Sequence, residues 1–268
     1  SEGTLKVMPV TDQVTVTIKG HNETTKYNGF EQTAEGYDFS ADNKLYAESH
    51  IKFDGKAEAK GTNVGVYKMG LEAKQFSNVS ANFTNVEFVV EDGSLAIEGG
   101  AIDANGVTWT RNNFMTKYDG STYTAGVATA TDKFGTPLAV EYSVDNGVTW
   151  ITDPATITAK NYSDSKFIKL RATGPNYAAG EYAYSADDEY LIIGARILTA
   201  ESASATKSYD GAPLTKSDQS DVTITGDGFV EGEGAAYSIT GSQTEAGSSN
   251  NEFTYELSEG TLRENYWI

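Results

Sequence analysis

The sequence predicts a mainly β protein made of three tandem modules, and three observations carry that prediction. A four-residue phrase recurs as Lys26-Tyr27-Asn28-Gly29, Lys117-Tyr118-Asp119-Gly120 and Ser208-Tyr209-Asp210-Gly211. Its tyrosines lie 91 residues apart both times, and Thr33, Thr124 and Thr215 keep the same period. Self-similarity on such a spacing marks one folding unit copied along the chain. Threonine, valine, tyrosine and glycine are abundant and prolines number five, which suits strands joined by tight turns. Short alternating stretches recur between turn residues, with no room for long helices. An immunoglobulin-like sandwich is the first expectation for each module, and a β-grasp-like sheet with one short helix is the alternative.

Residues 1–11 read as the final strand of a preceding module. Glu2-Gly3-Thr4-Leu5-Lys6-Val7 repeats the pattern of Asp92-Gly93-Ser94-Leu95-Ala96-Ile97. The first module spans residues 12–98. Val14, Val16 and Ile18 alternate there with Thr15 and Thr17, the pattern of a half-buried strand. Asn28-Gly29 tolerates positive φ and predicts a two-residue hairpin. Residues 64–71 and 85–90 read as strands, 43–50 as one helical turn and 72–78 as a short helix.

The second module spans residues 99–194, with strands expected at 107–110, 138–144, 167–172 and 190–193. Trp150 and Ile151 open the partner of 138–144, after a turn at Asp145-Asn146-Gly147. The third module, 195–268, has strands at 222–224 and 253–257 and lacks its last strand. A second mark supports this count: Asn82-Phe83, Asn176-Tyr177 and Asn265-Tyr266 each close a loop late in a module. The joints Glu98-Gly99-Gly100 and Gly194-Ala195 are too short for free tumbling, so an elongated, semi-rigid array is expected. The unmatched ends predict strand exchange between molecules, with residues 4–7 of one filling the open edge of the third module of another.

The formal net charge is −18, with 38 acidic residues against 20 basic. Such a surface repels nucleic acid and anionic lipid headgroups. No apolar run is long enough to span a membrane, and no secretory signal opens the sequence. Cysteine is absent, which excludes a disulfide framework, thiolate-bound zinc and a catalytic thiol.

Together these phrases resemble the MBG-type repeats of large bacterial surface proteins, seen mostly in Gram-positive gut bacteria. The resemblance rests on residues 14–20 leading into His21 and the first Tyr-Asn-Gly phrase, on Gly36-Tyr37, on Asn82-Phe83-Thr84-Asn85-Val86 and on Asp92-Gly93-Ser94-Leu95. In the third module it rests on residues 207–215, 222–226 and Gly241-Ser242-Gln243-Thr244. It implies a secreted, wall-attached protein whose repeats hold adhesive or catalytic domains away from the cell. The expected role of this chain is a non-catalytic spacer and adhesion segment. Its expected partners are neighbouring modules of the same protein and a host glycan or matrix protein.

Tyr27, Gly29, Tyr118, Gly120, Tyr209 and Gly211 read as structural, because a unique site would not be triplicated. The glycine permits the turn and the tyrosine ring covers the core. Ser143-Val144-Asp145-Asn146-Gly147-Val148-Thr149-Trp150 matches the Asp-box phrase of sialidase-like propellers. A single copy predicts only a hairpin, with Asp145 bonding local backbone and Trp150 packing on the next strand. Trp109 and Trp150 are the candidate stacking residues of the alternative function, a glycan- or protein-binding module. His21 and His50 have no third histidine or cysteine to complete a zinc set. The acidic runs 187–189 and 227–233 offer oxygen ligands to Ca2+, but without regular spacing they read first as solvated loops.

Overall fold

The computed structural model describes residues 2–268. They are mainly β, and the only helical elements among them are seven three-residue 3-10 turns. No helix among them is long and apolar enough to cross a membrane. The chain forms two compact units. The first holds the residues up to Val107 together with 132–137 and 173–183; the second holds 108–131, 138–172 and 184–268.

The first unit contains ten strands. They are β1 (Val14–Gly20), β2 (Asn22–Lys26), β3 (Gln32–Glu35), β4 (Tyr37–Ala41), β5 (Ile51–Phe53), β6 (Glu58–Gly61), β7 (Gly65–Lys68), β8 (Phe76–Asn78), β9 (Val86–Glu91) and β10 (Ser94–Glu98). One sheet runs β4-β1-β9 and a second runs β2-β10-β7, with β3-β6 and β5-β8 as two-stranded ribbons. Two pairings are parallel: β1 with β9, and β2 with β10. The alternation of β1 works as predicted, because Val14, Val16 and Ile18 are buried while Thr15 and Thr17 are half-buried. Leu95 and Ile97 of β10 enter the same core, as do Phe76 and Phe83. The Phe53 ring stacks on Phe76 at 4.5 Å. Each fully buried Val, Leu, Ile or Phe stabilises such a core by about 1.5–3 kcal/mol.

The sheets of the second unit are built from β11 (Thr108–Thr110), β12 (Phe114–Lys117), β13 (Tyr123–Thr124), β14 (Thr129–Thr131), β15 (Pro137–Ser143), β16 (Thr158–Ala159), β17 (Lys166–Thr173), β18 (Ala183–Tyr184), β19 (Glu189–Gly194), β20 (Arg196–Ser202), β21 (Val222–Gly226), β22 (Ala235–Ile239), β23 (Phe253–Leu257) and β24 (Tyr266–Trp267). The main sheet runs β11-β14-β15-β17-β19-β12, with β18 beside β17. Smaller sheets run β21-β20-β24, β13-β16 and β22-β23. Parallel pairing recurs between β12 and β19 and between β20 and β24.

Several expectations need correction. No short helix forms over 72–78; Ala73–Gln75 is a 3-10 turn and the chain then extends as β8, burying Phe76. The one helical turn expected in residues 43–50 does form, as the 3-10 turn Glu48–His50. The strand expected over 64–71 stops at Lys68, shortly before Gly70 adopts φ +72°. Ile151 makes a single bridge to Tyr142, with reciprocal 2.8 Å bonds, and no partner strand follows. Residues 4–7 form no strand. The Asn28-Gly29 turn is not a hairpin, because β2 pairs with β10 whereas β3 pairs with β6. It is a corner that carries the chain from one sheet to another.

Candidate functional site

The recurrent phrase builds the same corner three times. Gly29, Gly120 and Gly211 all take left-handed backbone, at φ +81°, +81° and +76°. In each corner the preceding side chain accepts a backbone N–H two residues on. Phe30 N–H donates to Asn28 Oδ1 at 2.9 Å, Ser121 to Asp119 Oδ1 at 2.8 Å and Ala212 to Asp210 Oδ1 at 3.0 Å. This is the Asx turn that Asn and Asp favour. Hydrogen bonding from the Tyr123 hydroxyl holds Asp119 below the usual carboxylate range, and the Lys207 ammonium does so for Asp210.

Two of the three tyrosines are then covered by residues from later in the chain. Within the first unit, the Tyr27 ring meets the edges of Phe134 and Tyr177 at 6.0 and 5.7 Å. Gly29 lies under Phe134, where an added Cβ would stand 2.4 Å from the ring. Gly100 bridges Tyr177 in parallel, and the Tyr177 hydroxyl donates to Asp132 Oδ2 at 2.7 Å. Burial, with help from Asp132, pushes the Tyr177 phenol far up. Beside it, buried Asn176 accepts the Val64 N–H at 3.0 Å and donates to Asn63 Oδ1 at 2.9 Å.

Within the second unit the arrangement recurs with different chemistry at its centre. The Tyr118 ring meets Tyr266 edge-on at 5.8 Å, and Phe229 packs on Tyr266 at 4.9 Å. The hydroxyls of Tyr118 and Tyr266 both donate to Glu233, at 2.5 and 2.8 Å. Burial and Glu233 raise the Tyr118 phenol strongly; burial, again with Glu233, pushes Tyr266 up to about 12. Fully buried Asn265 accepts the Tyr162 N–H at 2.8 Å and donates to Asn161 Oδ1 at 3.0 Å. The Arg196 guanidinium donates to the carbonyls of Tyr118, Asp227 and Gly228. Asp227 bonds Lys117 at 2.7 Å and the Ile197 N–H at 2.9 Å, and the lysine holds its carboxyl low.

The third copy differs. Tyr209 is 65% exposed, against 8% for Tyr27 and 3% for Tyr118. The expectation that each tyrosine covers a core therefore holds for Tyr27 and Tyr118 and fails for Tyr209. The expected solvated loops also need correction. Asp187 pairs with Arg111, Asp188 with Lys169, and Glu189 is fully buried. Asp227 and Glu233 belong to the corner just described. Among the described residues, no three His, Asp or Glu side chains are grouped to hold a metal ion.

The Asp-box phrase makes the predicted turn. Asp145 accepts the N–H groups of Val148 and Thr149 and the hydroxyls of Ser143 and Thr149. These donors, Thr149 foremost, draw its carboxyl down to about 2. Trp150 is half-buried with the Arg171 guanidinium over its ring at 4.3 Å and the Tyr184 ring 5.9 Å away. Trp109 is half-buried against the core of its unit, so the structure does not bring the two tryptophans into one platform. Past this turn lies an open groove of about 410 Å³, lined by Thr122, Val144, Ile151, Thr156, Ile157, Thr158, Lys160, Asp164 and Lys166. Its one carboxylate, Asp164, is held low by the N–H groups of Asn161 and Lys160. His21 bonds the Glu35 carbonyl and Asp38, and His50 accepts the Ala47 N–H, so both serve local structure.

Sequence reading missed Phe134, Phe229, Asn63, Asn161, Arg196 and Asp132, and placed Glu233 only in a solvated acidic run. The one signal for them was the second mark, Asn176-Tyr177 and Asn265-Tyr266, which read as a loop closure and proves to be half of each corner. No protein-family model matches the chain, and no curated protein matches it in sequence at a significant level.

Proposed function

We propose that the chain is a run of three β-rich, immunoglobulin-like repeats at residues 12–98, 99–194 and 195–268. It acts as a non-catalytic spacer and adhesion segment of a secreted, wall-attached bacterial surface protein. The observation that carries this reading is the duplicated corner. Tyr27 with Tyr177 and Asn176, and Tyr118 with Tyr266 and Asn265, put matching residues in matching roles 91 or nearly 91 residues apart. Such recurrence suits a segment whose work is to join one repeat firmly to the next. Single-molecule pulling tests it: the chain resists extension in discrete steps, and Asn265→Ala lowers the force of one of them. Smooth, featureless extension refutes it.

A second reading, a glycan-binding module, draws support from the groove lined by Ile151, with Lys160 and Lys166 on its wall, and from the half-buried Trp150 next in the chain. A glycan and matrix-protein array separates the two. Saturable binding lost in Trp150→Ala favours the second; uniformly blank arrays favour the first.

A further inference from the structure

Asn-Gly pairs occur at Asn28-Gly29, Asn105-Gly106 and Asn146-Gly147, and all three asparagines are exposed. Asparagine amides are thermally labile. The reaction is attack by the next residue's backbone nitrogen on the side-chain carbonyl, and glycine puts no side chain in its way. Two local features govern it. The glycine N–H must be free to lose its proton, and the amide oxygen must be stabilised as charge develops on it.

The three pairs differ on both counts. The Gly106 N–H donates to the Asp103 carbonyl at 2.9 Å, and the Gly147 N–H donates to Ser143 Oγ at 2.8 Å. Each bond holds the proton in place and pins the nitrogen to another acceptor. Among the described residues, the Gly29 N–H has no acceptor. Asn28 Oδ1 accepts the Phe30 N–H at 2.9 Å, a donor aimed at the atom on which an oxyanion would form. Among the described residues, none donates to the side-chain oxygen of Asn105 or Asn146. The other two corners carry Asp119 and Asp210 where the first carries Asn28, and both make the same Asx turn. The corner therefore accommodates an acid at this place.

We propose that Asn28 is a self-modifying site, converted to an acid by its own backbone. The Gly29 nitrogen forms a bond to Asn28 Cγ as its proton passes to solvent. The Cγ–Nδ2 bond then breaks, and ammonia leaves with a proton taken from solvent. Water opens the resulting cyclic imide, adding hydroxyl to a carbonyl carbon and a proton to the Gly29 nitrogen. Opening at Cγ restores the main chain and leaves aspartate, the residue of the other corners. Opening at the main-chain carbonyl leaves isoaspartate, which lengthens the backbone beside Gly29. That glycine lies under Phe134, where an added Cβ would stand 2.4 Å from the ring, so isoaspartate displaces the cover of Tyr27. Either product adds a negative charge to the corner.

Peptide mapping by mass spectrometry tests this on the folded chain, incubated at mildly alkaline pH and sampled over time. The peptide holding Asn28 gains the mass difference between amide and acid several-fold faster than those holding Asn105 and Asn146. Its rate rises with pH, because the attacking nitrogen must lose its proton. In urea the protecting bonds at Gly106 and Gly147 are gone, and the three rates converge. A folded-state rate at Asn28 that matches or trails the other two overturns the proposal. So does a lead that persists unchanged in urea, which would trace it to neighbouring sequence and not to the corner.

Discussion

Replacing Asn265 by alanine removes the two hydrogen bonds of a side chain closed to water. The side chain is 0% exposed; its oxygen accepts the Tyr162 N–H at 2.8 Å and its nitrogen donates to Asn161 at 3.0 Å. Alanine leaves one backbone N–H and one amide oxygen without partners. A buried polar group left unpaired costs roughly 1–3 kcal/mol. Asn161 is half-exposed and regains some water, so its share lies at the low end. We expect a loss of about 2–3 kcal/mol, which at a urea slope of about 2 kcal/mol/M lowers the midpoint by about 1 M. Asn176→Ala behaves alike, because Asn176 holds Val64 and Asn63 in the same way. Asn82 occupies the same place in the sequence mark, but its side chain is exposed, so Asn82→Ala stays within about 0.5 kcal/mol. Equal midpoints for all three variants, or a change below about 0.5 kcal/mol at Asn265, refute the reasoning.

Gly29→Ala and Gly211→Ala share a left-handed backbone, but only Gly29 lies under a ring, so calorimetry finds Gly211→Ala milder by 1 kcal/mol or more, on the scale of an overpacked site. Equal losses would mean that Phe134 yields freely. Burial raises the Glu189 carboxyl, whose Oε1 has no partner; the Asn112 N–H and Arg111 oppose the shift. A raised carboxyl contributes its stability fully below the ordinary value of 4.5 and loses it as pH rises through the folded value. Glu189→Gln therefore gains on the parent protein at neutral pH and loses that gain below pH 4.5, read from urea midpoints; a difference that ignores pH contradicts this. Asp145 runs the other way: its contribution stands above the ordinary 3.8 and is lost as pH falls through about 2. The Thr149 amide resonance reports this by shifting near pH 2, and a shift near pH 4 would contradict the bonding described.

The strands that alternate cleanly were legible in the sequence. Residues 138–144 became β15 and 253–257 became β23 because one face of each strand meets a core and the other meets water. β2, Asn22-Glu23-Thr24-Thr25-Lys26, was not legible, since all five residues are polar and only pairing with β10 makes them a strand. Residues 72–78 read as helix through local propensity, but burying Phe76 against Phe53 and Phe88 favours extension. The glycine and the Asx residue of each corner were legible because turn chemistry is local. Phe134 and Glu233 were not, because each acts on a tyrosine about a hundred residues away, a distance that no short pattern spans.

The covered corners bear on how such a gene changes length. The two covered corners, at Tyr27 and Tyr118, each draw one half from one copy of the 91-residue period and the cover from the next. Unequal crossing-over between two copies, in register, deletes or duplicates a whole period wherever the break falls. A covered corner in the recombinant then still finds a Tyr-Asx-Gly half and an Asn-Tyr half in the proper order. On the repeat reading proposed above, the chain shortens or lengthens by whole periods without a new contact having to evolve, and the effect of a single altered corner is confined to that corner.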